Sequence, residues 1–337
     1  MSELKTIDQL GRGLKDLRIS LTDQCNMRCR YCMPAEVFGP KYPFLKSKQL
    51  LTFPEIVRLA RIAESFGIEK IRLTGGEPLL RRKMPDLVKQ LSNETGVADI
   101  ALTTNGLLLP KYVSQLKKNG LTRINLSLDA LDSITFRKMS GGFGDLKNVI
   151  RAIEMCQELE IPLKLNTVLR NGVNDNQIVP LLEYGIRKNL EVRFIEYMDV
   201  GNSNQWTRAD VYKEKAILDT VSRYFGWVSP LPDAPAAVAR SYRIKEKDYT
   251  FGIIASISRP FCGGCVRARI SSDGKLYTCL FANSGFDLRE LLRSGADDAE
   301  IREQLMKVWQ LREDRYSELR SSFNKKTKTV EMPYIGG

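Results

Sequence analysis

A chain of 337 residues with a formal net charge of +12 contains no histidine at all. The absence of histidine excludes a Ser-His-Asp or Cys-His catalytic system and any His-ligated zinc site, so a bound metal must use Cys, Asp or Glu. No apolar run reaches the ~18 residues of a membrane span, and the first residues lack the pattern of a signal peptide. We therefore expect a soluble, cytoplasmic protein whose basic charge suits a polyanionic partner.

Short apolar runs typical of strands alternate with helix-like stretches over the first two thirds of the chain. Strands are predicted at 17–21, 70–74, 100–103, 123–128, 163–168 and 192–198, with intervening helices that include 54–67, 84–94 and 145–160. Thr52 is the predicted N-cap of the first of these helices, and Gly67 its C-terminal stop. Six βα units are fewer than the eight of a closed TIM barrel, so we predict an α/β fold, a partial (βα)6 TIM-like barrel.

The composition becomes rich in Pro and Ala at 226–239, and we place a change of domain there. The prediction is a partial-barrel domain over 1–230 and a C-terminal α+β domain over 231–337. The second domain reads as β-rich at 241–245, 249–257 and 268–281, followed by a helix from about Asp297 to Arg320. The final segment, 326–337, carries little local structural signal.

Three cysteines, Cys25, Cys29 and Cys32, follow the first predicted strand and are separated by three and then two residues. Thiolates are the usual ligands of iron–sulfur clusters, and four of them would saturate a [4Fe–4S] cube. Three leave one iron open for a reacting molecule. A zinc site completed by a carboxylate is the alternative interpretation.

A second cysteine trio lies near the C-terminus, at Cys262, Cys265 and Cys279, and suggests a second cluster with a second open iron. A structural zinc with an unseen fourth ligand is again the alternative. The seventh cysteine, Cys156, lies in a helical pattern on one face with other apolar residues, so we predict that it is buried in the core.

Arg267 and Arg269 flank Ala268 on an extended segment, so the two arginine side chains point to the same side. Guanidinium groups suit phosphate oxygens and are always charged. Strand alternation can direct other basic residues into the barrel as well, where a charge is costly unless an anion is present. The candidates are Arg18, Arg72 and Lys164. A surface charge is the alternative for each, and the sequence leaves their convergence open.

The pattern Cys-x3-Cys-x-Tyr-Cys, with Tyr31 before the third cysteine, resembles the signature of the radical S-adenosylmethionine (SAM) superfamily. The resemblance implies that the open iron of the first cluster chelates SAM. Reductive cleavage of SAM then yields methionine and a 5′-deoxyadenosyl radical. It also implies that SAM is contacted by Tyr31, Gly76, Ser127 and Met198.

From about Leu14 to Gly337 the chain resembles the branch of this superfamily that cyclises GTP in the first step of molybdenum cofactor biosynthesis. The resemblance rests on TDQCNMRCRYCMP, RLTGGEPLLR, TTNG, INLSLDAL, FIEYMDVGN, the second cysteine trio with its Arg-x-Arg, and the final Gly336-Gly337. One departure is Val266, where relatives often carry Asn.

This resemblance implies two [4Fe–4S] clusters and SAM as cofactors, with the guanine of GTP on the open iron of the second cluster. The implied GTP contacts are Arg18, Arg72, Thr103, Lys164, Arg267, Ala268 and Arg269. The implied catalytic residues are Arg267, Arg269, Gly336 and Gly337, the last two in a tail that enters the active-site cavity. The radical would take the hydrogen from C3′ of the ribose, and C3′ would then attack C8 of guanine.

The implied partners are an electron donor such as flavodoxin or ferredoxin, a downstream cyclic pyranopterin monophosphate synthase and a second copy of the chain in a homodimer. We expect no nucleic-acid and no membrane partner. The alternatives are a radical SAM enzyme acting on RNA or on a peptide, and a non-catalytic, zinc-binding nucleic-acid module. No RNA-binding motif is recognisable, and peptide-modifying relatives usually carry more C-terminal cysteines.

Overall fold

The computed structural model describes residues 6–233, 236–320 and 328–337, and its strands follow the predicted α/β order. The strands are β1 (Asp16–Ser20), β2 (Lys70–Thr74), β3 (Asp99–Thr104), β4 (Arg123–Ser127), β5 (Leu163–Leu169), β6 (Glu191–Glu196), β7 (Val228–Pro230), β8 (Arg240–Ile244), β9 (Tyr249–Ile254), β10 (Arg267–Ile270), β11 (Lys275–Tyr277) and β12 (Phe286–Asp287). The six strands predicted for the barrel all form.

The helices cover the outer side of the sheet and the C-terminal region. They are α1 (Phe53–Glu64), α2 (Met84–Glu94), α3 (Leu109–Lys118), α4 (Ser133–Met139), α5 (Leu146–Glu158), α6 (Ile178–Lys188), α7 (Glu214–Phe225), α8 (Leu288–Ser294), α9 (Asp298–Gln310), α10 (Tyr316–Leu319) and α11 (Met332–Ile335). None of the helices in the described ranges combines the length and the apolar character that a bilayer crossing requires.

Helix α1 begins with the N-cap that the sequence predicts, because the hydrogen bonds that form it are local. The Thr52 hydroxyl accepts from the Glu55 amide at 3.3 Å, and the Glu55 carboxylate accepts from the Thr52 amide at 2.7 Å. This reciprocal capping box satisfies two amides that a helix start leaves unpaired. The predicted N-cap is confirmed, and Gly67 adopts a φ of +85° in the turn that leaves the helix.

The twelve strands of the described residues belong to one sheet, in the order β12-β11-β10-β1-β2-β3-β4-β5-β6-β9-β8-β7. Strands β1 to β6 are parallel and adjacent in chain order, and the sheet is not closed, so the partial-barrel fold is confirmed. The C-terminal strands extend both edges of this sheet, because β10 pairs parallel with β1 and β9 pairs parallel with β6. The domain boundary between residues 230 and 231 stays a prediction.

Alternation along β1 decides what faces the helices and what faces the barrel interior. Leu17 and Ile19 are fully buried in the hydrophobic core, which also contains Cys156 as predicted. Asp16 and Arg18 point to the other side and line an internal cavity. The barrel interior is therefore polar and charged, while the apolar core lies between the sheet and its helices.

The helix predicted from Asp297 to Arg320 is wrong as one element, because the chain breaks between α9 and α10. The break follows from Arg312, which is 3% exposed and forms an ion pair with Asp8 at 3.3 Å. Arg312 also donates to the Cys265 carbonyl at 2.7 Å. A charged side chain is buried only where such partners exist, so tertiary contacts override the local helical pattern here.

Candidate active site

Both cysteine trios open onto one cavity of about 890 Å³ inside the barrel. The predicted site residues that line it are Arg18, Cys25, Cys29, Tyr31, Cys32, Arg72, Gly76, Thr103, Ser127, Lys164, Met198, Cys262, Cys265, Arg267, Arg269, Cys279 and Gly337. Residues from many separate parts of the chain thus share one space. The convergence of basic residues that the sequence left open is observed.

The two trios lie at opposite ends of the barrel strands. Cys25 follows the carboxyl end of β1, whereas Cys265 precedes the amino end of β10, which runs parallel to β1. Cys279 follows β11, which is antiparallel to β10, so it returns to the same edge as Cys265. The first trio therefore lies at the carboxyl ends of the barrel strands, and the second trio lies at their amino ends.

The loop that carries the first trio packs on the Gly75-Gly76 turn after β2. The Gly76 amide donates to the Thr22 carbonyl at 2.7 Å, and the Glu77 amide donates to the Gln24 carbonyl at 2.8 Å. A Cβ on Gly76 would overlap the Gln24 carbonyl. The second glycine is thus required for close approach of the cysteine loop as well as for exposure to the cavity.

Glu77 ties the ends of β2 and β3 to this loop. Its buried carboxylate accepts from the Thr104 hydroxyl at 2.8 Å and from the Asn105 amide at 2.9 Å. The Asn105 side chain in turn donates to Asn26 at 2.8 Å, next to Cys25. Burial raises the pKa of Glu77 to about 7. Sequence analysis missed this residue, although its place in the Gly-Gly-Glu turn was visible.

Tyr31 is held by an acidic residue at the end of β4. Its hydroxyl donates to Asp129 at 2.9 Å, and the other Asp129 oxygen accepts from the Val168 amide at 2.9 Å. Burial raises the pKa of Asp129 to about 6. These bonds fix the Tyr31 ring at the cavity, where the resemblance implies a contact with SAM.

Burial raises the pKa of all three thiols in the first trio, to about 11 for Cys25 and further for Cys29 and Cys32. The charges of Asp129, Cys25 and Cys32 raise the pKa of Cys29 further. Metal binding must therefore displace protons from these groups.

The second trio has a different electrostatic environment. Arg267 donates to the Cys265 sulfur through Nε at 3.3 Å and Nη2 at 3.1 Å, and Arg312 donates to it at 3.1 Å. Burial opposes ionisation of Cys265, but the charges of Arg267 and Arg312 outweigh it and lower its pKa to about 6. Burial raises the pKa of Cys279 to about 11. Arg312 was not found from sequence, because only the fold brings it to the cysteine.

A row of arginines crosses three adjacent strands between the trios. Arg18 on β1 lies in register with Arg72 on β2 and with Arg269 on β10. Burial, and then the charge of Arg18, lowers the pKa of both Arg72 (to about 9) and Arg269. Like charges on directly opposed residues are destabilising, so this row requires an anion.

Several of these buried polar atoms have no hydrogen-bond partner among the described residues. They include Nε of Arg18, Nε of Arg72 and Oγ1 of Thr103. An unpaired buried donor costs about 1–3 kcal/mol. The cavity thus offers directed donors and positive charge to a ligand rich in acceptor oxygens.

Two further cations, Arg193 and Lys70, line the cavity near the amino ends of the strands, and sequence analysis did not assign them. Glu191 on β6 holds Lys164 at 2.7 Å and Arg193 at 2.5 Å, and both cations line the cavity. Lys70, on the other side of the barrel, lies 3.8 Å from Asp99. The strand alternation that singled out Lys164 also marks Arg193 and Lys70.

Two predicted residues do not line the cavity with their own side chains. Ala268 alternates with its arginine neighbours and is fully buried in the hydrophobic core, so its side chain faces away from the cavity. Gly336 is buried, and its carbonyl accepts from Nη1 of Arg269. The next residue, Gly337, reaches the cavity wall.

The thiols fit iron–sulfur clusters by donor type and number. Within the described ranges, no three His, Cys, Asp or Glu side chains are placed to hold a single metal ion. A cubane does not require this, because each of its thiolates binds a different iron. Each trio supplies three thiolates, one fewer than a saturated [4Fe–4S] cluster uses.

Comparison with known proteins supports this site. Residues 19–185 match the Radical SAM superfamily model, and residues 190–318 match the Molybdenum Cofactor Synthesis C model. The structure is similar to that of Streptococcus suis SuiB, with a TM-score of 0.61 at 16% identity, over 93% of this chain and 69% of that one. At this identity the structural likeness shows the fold alone. The fold and the first trio thus define a radical SAM enzyme.

Relatives of similar length give the narrower family. The chain is 46% identical over 335 residues to a GTP 3′,8-cyclase of Staphylococcus epidermidis, and 45% identical over 334 residues to one of Staphylococcus aureus. Each match covers 98% of both chains. The chain belongs to the GTP 3′,8-cyclase family, whose cofactors are SAM and [4Fe–4S] clusters.

The contact between Gly76 and the cysteine loop can be tested by Gly76→Ala. The added Cβ must push the Gln24 carbonyl away, so we expect reconstituted protein to lose iron from the first site while the second site still loads. Gly13→Ala is the matched control, because a Cβ there meets nothing within 4 Å. Iron analysis and electron paramagnetic resonance measure both. Full loading of the first site in Gly76→Ala would show that the loop tolerates the shift.

Proposed function

We propose that this chain converts GTP into (8S)-3′,8-cyclo-7,8-dihydroguanosine 5′-triphosphate, the first step of molybdenum cofactor biosynthesis. The single observation that carries the proposal is one cavity with a cysteine trio at each end and unpaired cationic donors between them. A triphosphate supplies the negative charge that the arginine row lacks. The relatives' printed activity agrees with this assignment.

Cys25, Cys29 and Cys32 would hold the cluster that binds SAM, and Cys262, Cys265 and Cys279 would hold the second cluster. When bound, the first cluster and SAM supply a 5′-deoxyadenosyl radical able to take a hydrogen atom from C3′ of the ribose. The chain's own contribution is to hold the ribose of GTP between the two ends of the cavity. Tyr31, Gly76, Ser127 and Met198 are assigned to SAM.

The basic residues orient the nucleotide. Arg18, Arg72, Thr103, Lys164, Arg267 and Arg269 are assigned to GTP, with Ala268 contributing main-chain atoms only, since its side chain lies in the core. Charge-assisted bonds from arginine to phosphate are directional and strong. They would hold C3′ and C8 of the bound GTP in reacting geometry. Positioning of this kind lowers the entropic part of the activation barrier.

We also assign Arg267 and Arg269 as catalytic residues, together with Gly336 and Gly337 of the tail. Arg267 contacts the sulfur of Cys265, and Arg269 contacts the carbonyl of Gly336, so the pair joins the second trio to the C-terminus. Attack of the C3′ radical on C8 leaves an unpaired electron on the guanine. Buried cations at this point would stabilise the negative charge that the ring gains when it takes up one electron, before it is protonated.

The remaining partners follow from the balance of the reaction. The chain must receive two electrons, one for the reductive cleavage of SAM and one, together with a proton, for the radical that remains after C3′ attacks C8. We assign this role to a small donor such as flavodoxin or ferredoxin. We assign the next step to a cyclic pyranopterin monophosphate synthase that consumes the product. A homodimer in the cytoplasm completes the proposal.

The activity is tested by anaerobic incubation of the reconstituted protein with GTP, SAM and a reductant. We expect 5′-deoxyadenosine in amounts that depend on GTP. With GTP deuterated at C3′, the deoxyadenosine should carry one deuterium, as measured by mass spectrometry. ATP is the matched control nucleotide. Deuterium-free deoxyadenosine at full yield would refute abstraction from C3′.

The two-cluster assignment predicts iron content. Reconstituted protein should bind about eight irons, four per cluster. Replacement of Cys262, Cys265 and Cys279 together by Ala should leave about four irons, because the first trio lies at the opposite edge of the barrel. Two zinc ions in colourless protein would instead favour the structural-zinc alternative.

The tail assignment predicts that deletion of Gly336 and Gly337 abolishes cyclisation while both clusters still load. The physical reason is that Gly336 supplies the carbonyl that Arg269 contacts. The measurements are product formation and iron content. Normal turnover by the truncated chain would contradict the assignment.

A further inference from the structure

The C-terminal tail is anchored far from its tip, at Glu331 and its neighbours. We propose that Glu331 and Asn202 are positioning residues that fasten the tail to the loop after β6, so that Gly336 and Gly337 reach the cavity. The proposal rests on the proposed function of the tail and adds residues that the cyclisation mechanism does not yet use.

One oxygen of the Glu331 carboxylate accepts three hydrogen bonds from that loop. Its Oε1 accepts from the Asn202 amide at 3.0 Å, from the Asn202 side chain at 3.4 Å and from the Ser203 hydroxyl at 2.8 Å. Glu331 is the N-cap of α11 but does not cap it with its side chain. The carboxylate is committed to the loop instead. Hydrogen bonds to a charged group are the stronger kind.

The same loop also holds the main chain of the tail. The Asn202 side chain donates to the Thr329 carbonyl at 2.5 Å, and its oxygen accepts from the Thr329 amide at 3.2 Å. A side-chain amide that pairs with both backbone groups of one residue fixes the direction of the chain at that point. Asn202 therefore binds the tail at two points, the main chain of Thr329 and the carboxylate of Glu331.

Gly201 makes this grip sterically feasible. It adopts a φ of +77°, and a Cβ there would overlap the Glu331 carboxylate. Glycine adopts this conformation without strain and leaves room for the carboxylate. The Gly-Asn pair at the end of FIEYMDVGN thus has a structural reason that the sequence alone did not reveal.

The anchor joins both ends of the site. The loop that receives Glu331 begins at Met198, which is assigned to SAM, and Asn204 braces it by donating to the Met198 and Val200 carbonyls at 3.3 and 2.9 Å. On the other side, the Val330 amide donates to the Ala282 carbonyl at 3.0 Å, close to Cys279. The tail therefore contacts both the loop that carries Met198 and the segment that follows Cys279.

From this anchor a single turn of helix leads to the cavity. Ile335 is fully buried, and Gly336 lies so close to Thr74 that a Cβ would overlap the Thr74 methyl group. A tail this closely fitted tolerates little displacement. Loss of the anchor should let α11 move and withdraw the Gly336 carbonyl from Arg269.

The test compares Glu331→Ala, Glu331→Gln and Asn202→Ala in the reconstituted holoenzyme. Hydrogen–deuterium exchange of the peptide that covers 328–337 measures tail position. We expect exchange to rise about tenfold in Glu331→Ala and Asn202→Ala, the effect of losing one to two charge-assisted hydrogen bonds. Glu331→Gln should recover most of the protection, because a single oxygen accepts all three bonds.

The kinetic signature separates positioning from general instability. In Glu331→Ala, kcat should fall about tenfold while KM for GTP stays within about twofold, since neither Glu331 nor Asn202 is among the residues that line the cavity. Iron content should stay at the wild-type value. Glu303→Ala, at an exposed glutamate on α9, is the matched control and should leave exchange and kcat unchanged.

Combining Glu331→Ala with deletion of Gly336 and Gly337 distinguishes failure of this inference from failure of the tail assignment. If the anchor acts through the tail, Glu331→Ala causes no further loss in the truncated chain. Unchanged tail exchange in Glu331→Ala, or Glu331→Gln as impaired as Glu331→Ala, would overturn the anchor. Wild-type turnover by the truncated chain would overturn the tail's catalytic role, while the exchange measurement still decides the anchor.

Discussion

The arrangement of this protein depends on positive charge buried inside an open barrel. Arg269, Arg18 and Arg72 stand side by side on adjacent strands, and Nε of Arg18 and Nε of Arg72 have no hydrogen-bond partner among the described residues. Such a row opposes folding through desolvation and mutual repulsion. Asp16, two residues before Arg18 on β1, offsets part of this cost. Burial opposes ionisation of Asp16, but the charges of Arg18 and Arg72 lower its pKa. The proposed triphosphate ligand would offset the rest, which would link stability to substrate binding.

The pairing of β10 with β1 creates both the charge row and the two-ended site. If β10 lay elsewhere, Arg269 would not face Arg18, and the second trio would not open onto the barrel. Placing the trios at opposite strand edges leaves between them a cavity of about 890 Å³. A nucleotide in that space can meet a different reactive centre at each end, which a site built only at the carboxyl edge could not offer.

Much of the barrel was predictable because its signals are local. The six barrel strands are bounded by turn residues, and the capping box at Thr52 is contained in four residues. The cysteine trios were readable for the same reason. The features that local signals did not reveal depend on contacts between distant residues. The break before α10, where one helix was predicted, follows from the burial of Arg312 beside Asp8 and Cys265. The packing of Gly76 against Gln24 is a further contact of this kind.

By itself, the sequence determined the α/β class and the six barrel strands and marked both cysteine trios, since each rests on residue type and short-range spacing. It also marked Arg18, Arg72, Lys164, Arg267 and Arg269 as anomalous charges in strands. Only the tertiary structure decided that these cations share one cavity, that Ala268 faces the core and that Glu331 meets Asn202. The physical reason is that strand order and loop contacts join residues far apart in sequence, where side-chain periodicity carries no information.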